Sequence, residues 1–156
     1  MDSTIPQSLK TEHEELHAEL NKAAKEMGEV GKAAQSVAAV LHPHFLKEEE
    51  YALPPLGLLS PLAEGRLSTA MPAALEMTNR LKGDLGQMLA EHKAIVARLV
   101  GLTDAARKAR KYAYVRFAEK LVLHAQMEEE VLYPAAILIG EYLRLRRPGE
   151  TSSSVS

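Results

Sequence analysis

The sequence predicts an all-α protein, an up-down-up-down antiparallel four-helix bundle, and three observations lead there. Ala, Leu, Glu, Lys and Met are abundant while aromatic residues make up 4% of the 156-residue chain, a composition that favours helix. No segment sustains the period-2 alternation of β-branched and polar residues that marks a strand. Gly and Pro cluster at a few places and leave four long helical stretches between them.

The first helix is expected from about Ser3 or Thr4 to Met27, with Pro6 near its first turn, where a missing N–H costs nothing. Gly28 and Gly31 bracket a short connection. The second helix is expected from about Lys32 to Leu53, stopped by Pro54-Pro55. Residues 54–68 read as a Pro- and Gly-rich loop with room for one helical turn. The third helix is expected from Ser68 or Thr69 to Leu99 or Val100, ending at Gly101. Thr103 or Asp104 would cap the fourth, which continues to about Arg146 and stops before Pro148-Gly149. Short first and third connections make those neighbours antiparallel. Residues 1–147 thus form one bundle domain, and 148–156 a disordered tail.

Composition excludes several function classes. Zero Cys rules out a disulfide framework and every thiolate metal site. Any metal must use His, carboxylate, Tyr or water. The first fifteen residues show no basic-then-apolar pattern of a signal peptide. The longest apolar runs, such as Val131–Gly140, fall far short of the roughly 20 residues of a membrane span. A net charge of −2 gives no drive toward nucleic acid. A soluble cytoplasmic protein with no membrane partner and no nucleic-acid partner is expected, of unspecified oligomeric state.

One phrase occurs twice. Residues 44–54 read HFLKEEEYALP and residues 124–134 read HAQMEEEVLYP, so His44, Glu48, Glu49, Glu50 and Pro54 match His124, Glu128, Glu129, Glu130 and Pro134. His and Glu four apart share a helix face, and imidazole and carboxylate are ligand types for iron or zinc.

Steps of three and four trace the core stripe of each helix. They give Leu9, His13, Leu16, Leu20, Ala23 and Met27 in the first, and Val37, Leu41, His44, Glu48 and Tyr51 in the second. The third gives Leu81, Leu85, Met88, His92, Ile95, Leu99 and Leu102, and the fourth Phe117, Leu121, His124, Glu128, Val131, Ala135, Leu138 and Tyr142. Six polar residues interrupt these stripes: His13, His44, Glu48, His92, His124 and Glu128. Left without partners, each would cost about 1–3 kcal/mol, against a typical domain stability of about 5–15 kcal/mol. They must satisfy one another or bind something. Divalent cations would cancel the two carboxylate charges. Paired metals lie roughly 3.5–4 Å apart, which suits carboxylates reaching in from opposed helices.

These motifs resemble the hemerythrin-like family, the HHE cation-binding domains, over about residues 5–145. The pieces are Glu12-His13-Glu14-Glu15-Leu16, His44-Phe45 with Glu48-Glu49, Glu91-His92, and His124 with Glu128-Glu129 and Pro134. The resemblance implies a four-helix bundle with a non-haem centre of two iron ions, open to an oxo or hydroxo bridge. It implies that Glu48 and Glu128 bridge, that His13 and His44 hold one iron, and that His92 and His124 hold the other. The family's oxygen carriers have two His one turn apart in the third helix and five His in all. Here Met88 and Val96 flank His92 instead. One iron would lose a nitrogen ligand and gain an open position, which favours reaction over quiet O2 carriage.

Other residues carry a plain reading beside a functional one. His17, one turn after His13, is an edge residue or an extra ligand; His42 reads as exposed. Glu49, Glu50, Glu129 and Glu130 read as a solvated face, with Glu49 and Glu129 the better placed to hydrogen-bond ligands. Tyr51 either packs or hydrogen-bonds a group held at the metal; Tyr114 and Tyr133 read as packing. Pro43 and Pro134 fall inside helices and should kink or loosen them. Arg107, Lys108, Arg110 and Lys111 read as a solvated basic patch, and Arg144, Arg146 and Arg147 suit a helix C-terminus.

The expected function is a non-haem di-iron protein that reacts with hydrogen peroxide, O2 or NO, with peroxide decomposition of the catalase or peroxidase type left open as its enzyme activity. The alternative is an O2- or iron-binding sensor or storage protein without turnover. No residue is assigned as catalytic.

Overall fold

The structure, a computed structural model, describes residues 5–67 and 69–146. Among them are six α-helices: α1 (Gln7–Ala24), α2 (Glu29–Lys47), α3 (Leu59–Ala63), α4 (Met71–Lys108), α5 (Tyr112–Met127) and α6 (Tyr133–Leu145). No strand occurs among the described residues. The expected start at Ser3 or Thr4 and the expected tail, 148–156, lie outside the described residues.

The chain divides into two compact units. The first comprises Gln7–Leu46 and Gly86–Glu129. It is by itself an antiparallel four-helix bundle, made of α1, α2, the C-terminal part of α4, and α5. Cross-helix contacts give the directions. Lys111 Nζ pairs with Glu26 at 2.6 Å and Lys120 Nζ with Glu19 at 3.5 Å, so α5 runs against α1. Arg98 reaches the Ser36 carbonyl at 3.0 Å while Glu91 meets His44, so α4 runs against α2. The bundle's apolar core includes Leu16, Leu20, Val37, Leu41, Phe45, Ile95, Leu99, Leu102, Phe117 and Leu121. All of these but Phe45 lie on the stripes read from the sequence; Phe45, next to His44, is a further core residue.

The first connection turns as expected, on glycine. Gly28 has φ +76°, in the region L side chains avoid. A Cβ on Gly31 would overlap the Glu26 carbonyl oxygen. The helix ends shift around this turn: α1 stops at Ala24, α2 starts at Glu29, and Met27 is exposed rather than in the core.

The third connection falls elsewhere than expected. α4 runs straight through Gly101 to Lys108, and Thr103 and Asp104 are interior helical residues rather than caps. A mid-helix glycine costs about 1 kcal/mol. Leu102 and Ala106, both fully buried just beyond it, offset that, since burying one leucine side chain contributes about 1.5–3 kcal/mol. The chain turns at Arg110, with φ +57°.

The second unit includes Lys47–Leu85 and residues 130–146. The 54–68 segment is more ordered than the loop expected: a 3-10 turn at Pro54–Leu58 leads into α3 and packs against α6. Lys82 pairs with Glu141 at 2.9 Å and Arg144 with Asn79 at 2.5 Å, so the N-terminal part of α4 runs against α6.

The repeated phrase has a repeated structural consequence. A π-turn occupies Glu48–Ala52 and another Glu128–Leu132, each beginning at the phrase's first Glu. An α pattern would ask Pro54 and Pro134 to donate an N–H to Glu50 and Glu130, which prolines cannot do. The ladder widens instead, as when Leu53 N donates to the Glu48 carbonyl at 2.8 Å. Pro134 therefore does loosen its helix, whereas Pro43 sits inside α2 without ending it.

A π-turn adds one residue to its helix face, and this corrects the stripe expected after Glu128. Val131, Leu138 and Tyr142 are exposed and Ala135 is half-buried; the buried positions are Tyr133, Ala136, Ile139, Gly140 and Leu143. From 135 onward the buried set lies one residue later than expected.

Candidate metal centre

The six polar residues that interrupt the stripes are all buried, at 0–3% exposure. A turn of helix separates His44 from Glu48 and another His124 from Glu128. His13 lies on α1 and His92 on α4, each on the same stripe as buried leucines.

The ligand atoms gather in two groups, in each of which they lie within 4.8 Å of one another. His13, His124 and Glu128 form one; His44, His92 and Glu128, with Glu48, form the other. The pairing implied by the resemblance, His13 with His44 and His92 with His124, is not the one the structure makes. His13 instead lies beside His124 and His44 beside His92, with ring centroids 5.2 and 4.7 Å apart. Antiparallel neighbours α1 and α5, and α2 and α4, bring those rings together.

Glu128 belongs to both groups. Its Oε1 lies 3.1 Å from His92 Nε2 and its Oε2 lies 3.0 Å from His124 Nε2 and 3.7 Å from His13 Nε2. Ligand bonds of about 2.0–2.2 Å at right angles place neighbouring donor atoms about 3 Å apart. The donor set therefore fits a metal: neutral nitrogens and anionic oxygens, without thiolate, at the edge length of a coordination polyhedron.

The outer imidazole nitrogens are held by carboxylates. His44 Nδ1 hydrogen-bonds Glu91 Oε1 at 2.8 Å, and His92 Nδ1 hydrogen-bonds Glu129 Oε2 at 2.7 Å. His124 Nδ1 hydrogen-bonds Glu12. Each such N–H donation turns the ring so that Nε2 faces the cluster and makes that nitrogen more basic. Burial alone would push the His92 imidazolium pKa down, but Glu128 and Glu129 outweigh it and hold the pKa above its ordinary value.

The model of the hemerythrin HHE cation binding domain matches residues 4–136. The chain belongs to that family. Comparison with curated proteins and with solved structures found no match. HHE membership and the buried His/Glu groups together support a non-haem iron-binding protein. No helix among the described residues is long and apolar enough to cross a membrane.

Several residues of this HHE domain sit differently from their sequence reading. Tyr133, read as packing, donates its phenol to Glu48 Oε2 at 2.6 Å, with both side chains fully buried. Tyr51 is buried and hydrogen-bonds Asp84, under the Arg80 guanidinium 4.3 Å above its ring. His17 and His42 stack on each other, centroids 4.9 Å apart, and belong to neither ligand group. Glu49, Glu50, Glu129 and Glu130, by contrast, are exposed as the solvated-face reading expected, and Glu129 also hydrogen-bonds His92. Glu12 and Glu91 appear in the family motif only as the residues before His13 and His92, yet each serves a His on another helix. Their adjacency in sequence gives no hint of that partner. The one signal in the sequence is that each directly precedes a His on a core stripe.

Proposed function

We propose that this protein is a non-haem di-iron protein that reacts with hydrogen peroxide, O2 or NO. The observation that carries the reading is Glu128, one buried carboxylate whose two oxygens face different histidine groups. That is the arrangement of a carboxylate between two cations. Two iron ions, when bound, would supply one-electron chemistry toward small oxidants.

The chain's own residues set the terms. His44, His92, His13 and His124 would supply nitrogens; Glu48 and Glu128 would supply the anionic oxygens that balance the cations' charge. Glu91, Glu129 and Glu12 would hold three of the rings in one orientation, so little reorganisation accompanies binding. Met88 is fully buried and Val96 half-buried in the turns beside His92. Neither side chain carries a nitrogen or oxygen, so the site has four imidazoles rather than the five of the oxygen carriers. Fewer protein ligands leave room for a small molecule, which supports reaction over carriage.

Storage or sensing of O2 or iron without turnover is the second reading. It is favoured by the burial of every candidate ligand at 3% exposure or less. Hydrogen peroxide decomposition by the iron-loaded protein decides between them. Turnover that is lost in Glu128→Ala supports the first; inert peroxide together with reversible O2 uptake supports the second.

A further inference from the structure

We infer that His17 and His42 form an outer, weak binding site for Fe(II), and that ions pass from it to the buried group of His13, His124 and Glu128. The inference rests on the metal-binding reading above and adds a second site to it. Every residue it uses lies in the first compact unit.

The chain has six histidines. Four belong to the buried ligand groups. The remaining two, His17 on α1 and His42 on α2, are half-buried and lie side by side, centroids 4.9 Å apart. That spacing falls between the 4.7 and 5.2 Å of the two central pairs. The rings are nearly parallel, at 5°, so they must turn to aim nitrogens at a common ion. Two imidazoles hold Fe(II) weakly, because it stands low in the affinity order of divalent metals for nitrogen ligands. Weak binding suits transfer, since an ion held at an entrance must also leave it.

Phe45 connects the two sites. Its ring stacks on His13 at 4.0 Å and meets His17 edge-on at 4.9 Å. The central ligands are at most 3% exposed, so an arriving ion must pass some side chain. Phe45, turning aside, would open the step from His17 to His13.

The internal repeat shows that the bundle does not require this pair. His17 lies four residues after His13, as Val96 lies four after His92. His42 lies two before His44, as Val122 lies two before His124. Val96 and Val122 line one groove between α4 and α5 with Leu99 and Ala118. The same positions are thus filled by valine at one end of the repeat and by imidazole at the other.

The test pairs a crystal structure of the Zn(II)-saturated full chain with anaerobic Fe(II) uptake by the metal-free chain, timed against a chromogenic chelator. The wild type should hold an ion at His17 and His42 besides those in the centre. His17→Ala and His42→Ala should lose that outer ion and keep the central metal content. Both should load Fe(II) roughly tenfold more slowly, because the outer site raises the local concentration of ions. His42→Gln replaces an alanine variant that does not fold. A filled centre with no ion at His17 and His42 overturns the inference, and so do unchanged loading rates in both variants. An ion at the outer pair beside an empty centre would refute the reading of the centre and leave the outer site standing.

Discussion

Glu91 stands next to His92 in sequence but hydrogen-bonds His44 on the opposing helix, Oε1 to Nδ1 at 2.8 Å. Glu12, next to His13, does the same for His124. Glu12 and Glu91 lie 79 residues apart and their partners His124 and His44 lie 80 apart, so the carboxylates around the site follow nearly the same internal repeat as the central residues. Because a helix projects successive residues about 100° apart, the residue before a core His faces the neighbouring helix rather than its own neighbour in sequence.

Removing these carboxylates should weaken metal binding without abolishing it. Glu91→Gln and Glu12→Gln are each expected to lower affinity about 10–100-fold, measured by competition with a chelator. Glu50→Gln, on an exposed residue, should leave affinity unchanged. Equal losses from all three would mean that the Nδ1 contacts do not matter.

The central carboxylates should show opposite effects with and without metal. Glu128→Gln is expected to cost most of the bound metal, whereas Glu130→Gln should cost none. In the metal-free protein Glu128→Gln should melt no lower than wild type, since an ionised buried carboxylate opposes folding. Metal analysis and paired thermal melts check both halves.

The register after the second π-turn is testable by truncation. Ile139 is 4% exposed and Leu138 68%. Ile139→Ala should destabilise the fold by about 2–5 kcal/mol, and Leu138→Ala by less than about 0.5 kcal/mol, in denaturant titrations. The reverse order would restore the uninterrupted helix expected from sequence.

Tyr114 gives a pH signature remote from the metal. Burial, and then the neighbouring Glu26 carboxylate, push its phenol up to about 12. Its folded pKa thus exceeds the unfolded value of about 10. The stability it contributes is complete below about pH 10 and is lost as pH rises toward about 12. The melting-temperature gap between wild type and Tyr114→Phe should be flat at neutral pH and narrow across that alkaline window. Glu26 is held below its ordinary value by Lys111 first and then by Tyr114. Its own contribution is present above the unfolded carboxylate value and fades as pH falls below it.

The sequence made the helices, the repeat and the six buried polar residues legible because each is a periodic signal in one chain segment. Leu16, Leu41, Leu99 and Leu121 lie in the core where a 3.6-residue period puts them. Period reading failed where the period itself changes. The π-turn at Glu128 moved the buried set from Val131, Leu138 and Tyr142 to Tyr133, Ile139 and Leu143. Gly101 looked like a stop because local propensity was weighed without the buried Leu102 and Ala106 beyond it. The contacts of Glu12, Glu91 and Tyr133 were hidden for a different reason: each depends on which helices neighbour which, and one sequence does not state that.

The most direct test is metal stoichiometry. The purified protein, loaded anaerobically with Fe(II) and freed of excess, should hold about two ions per chain, and its melting temperature should rise because only the folded state presents the site. A metal content near zero, with helical content intact and no rise in melting temperature, would contradict the account.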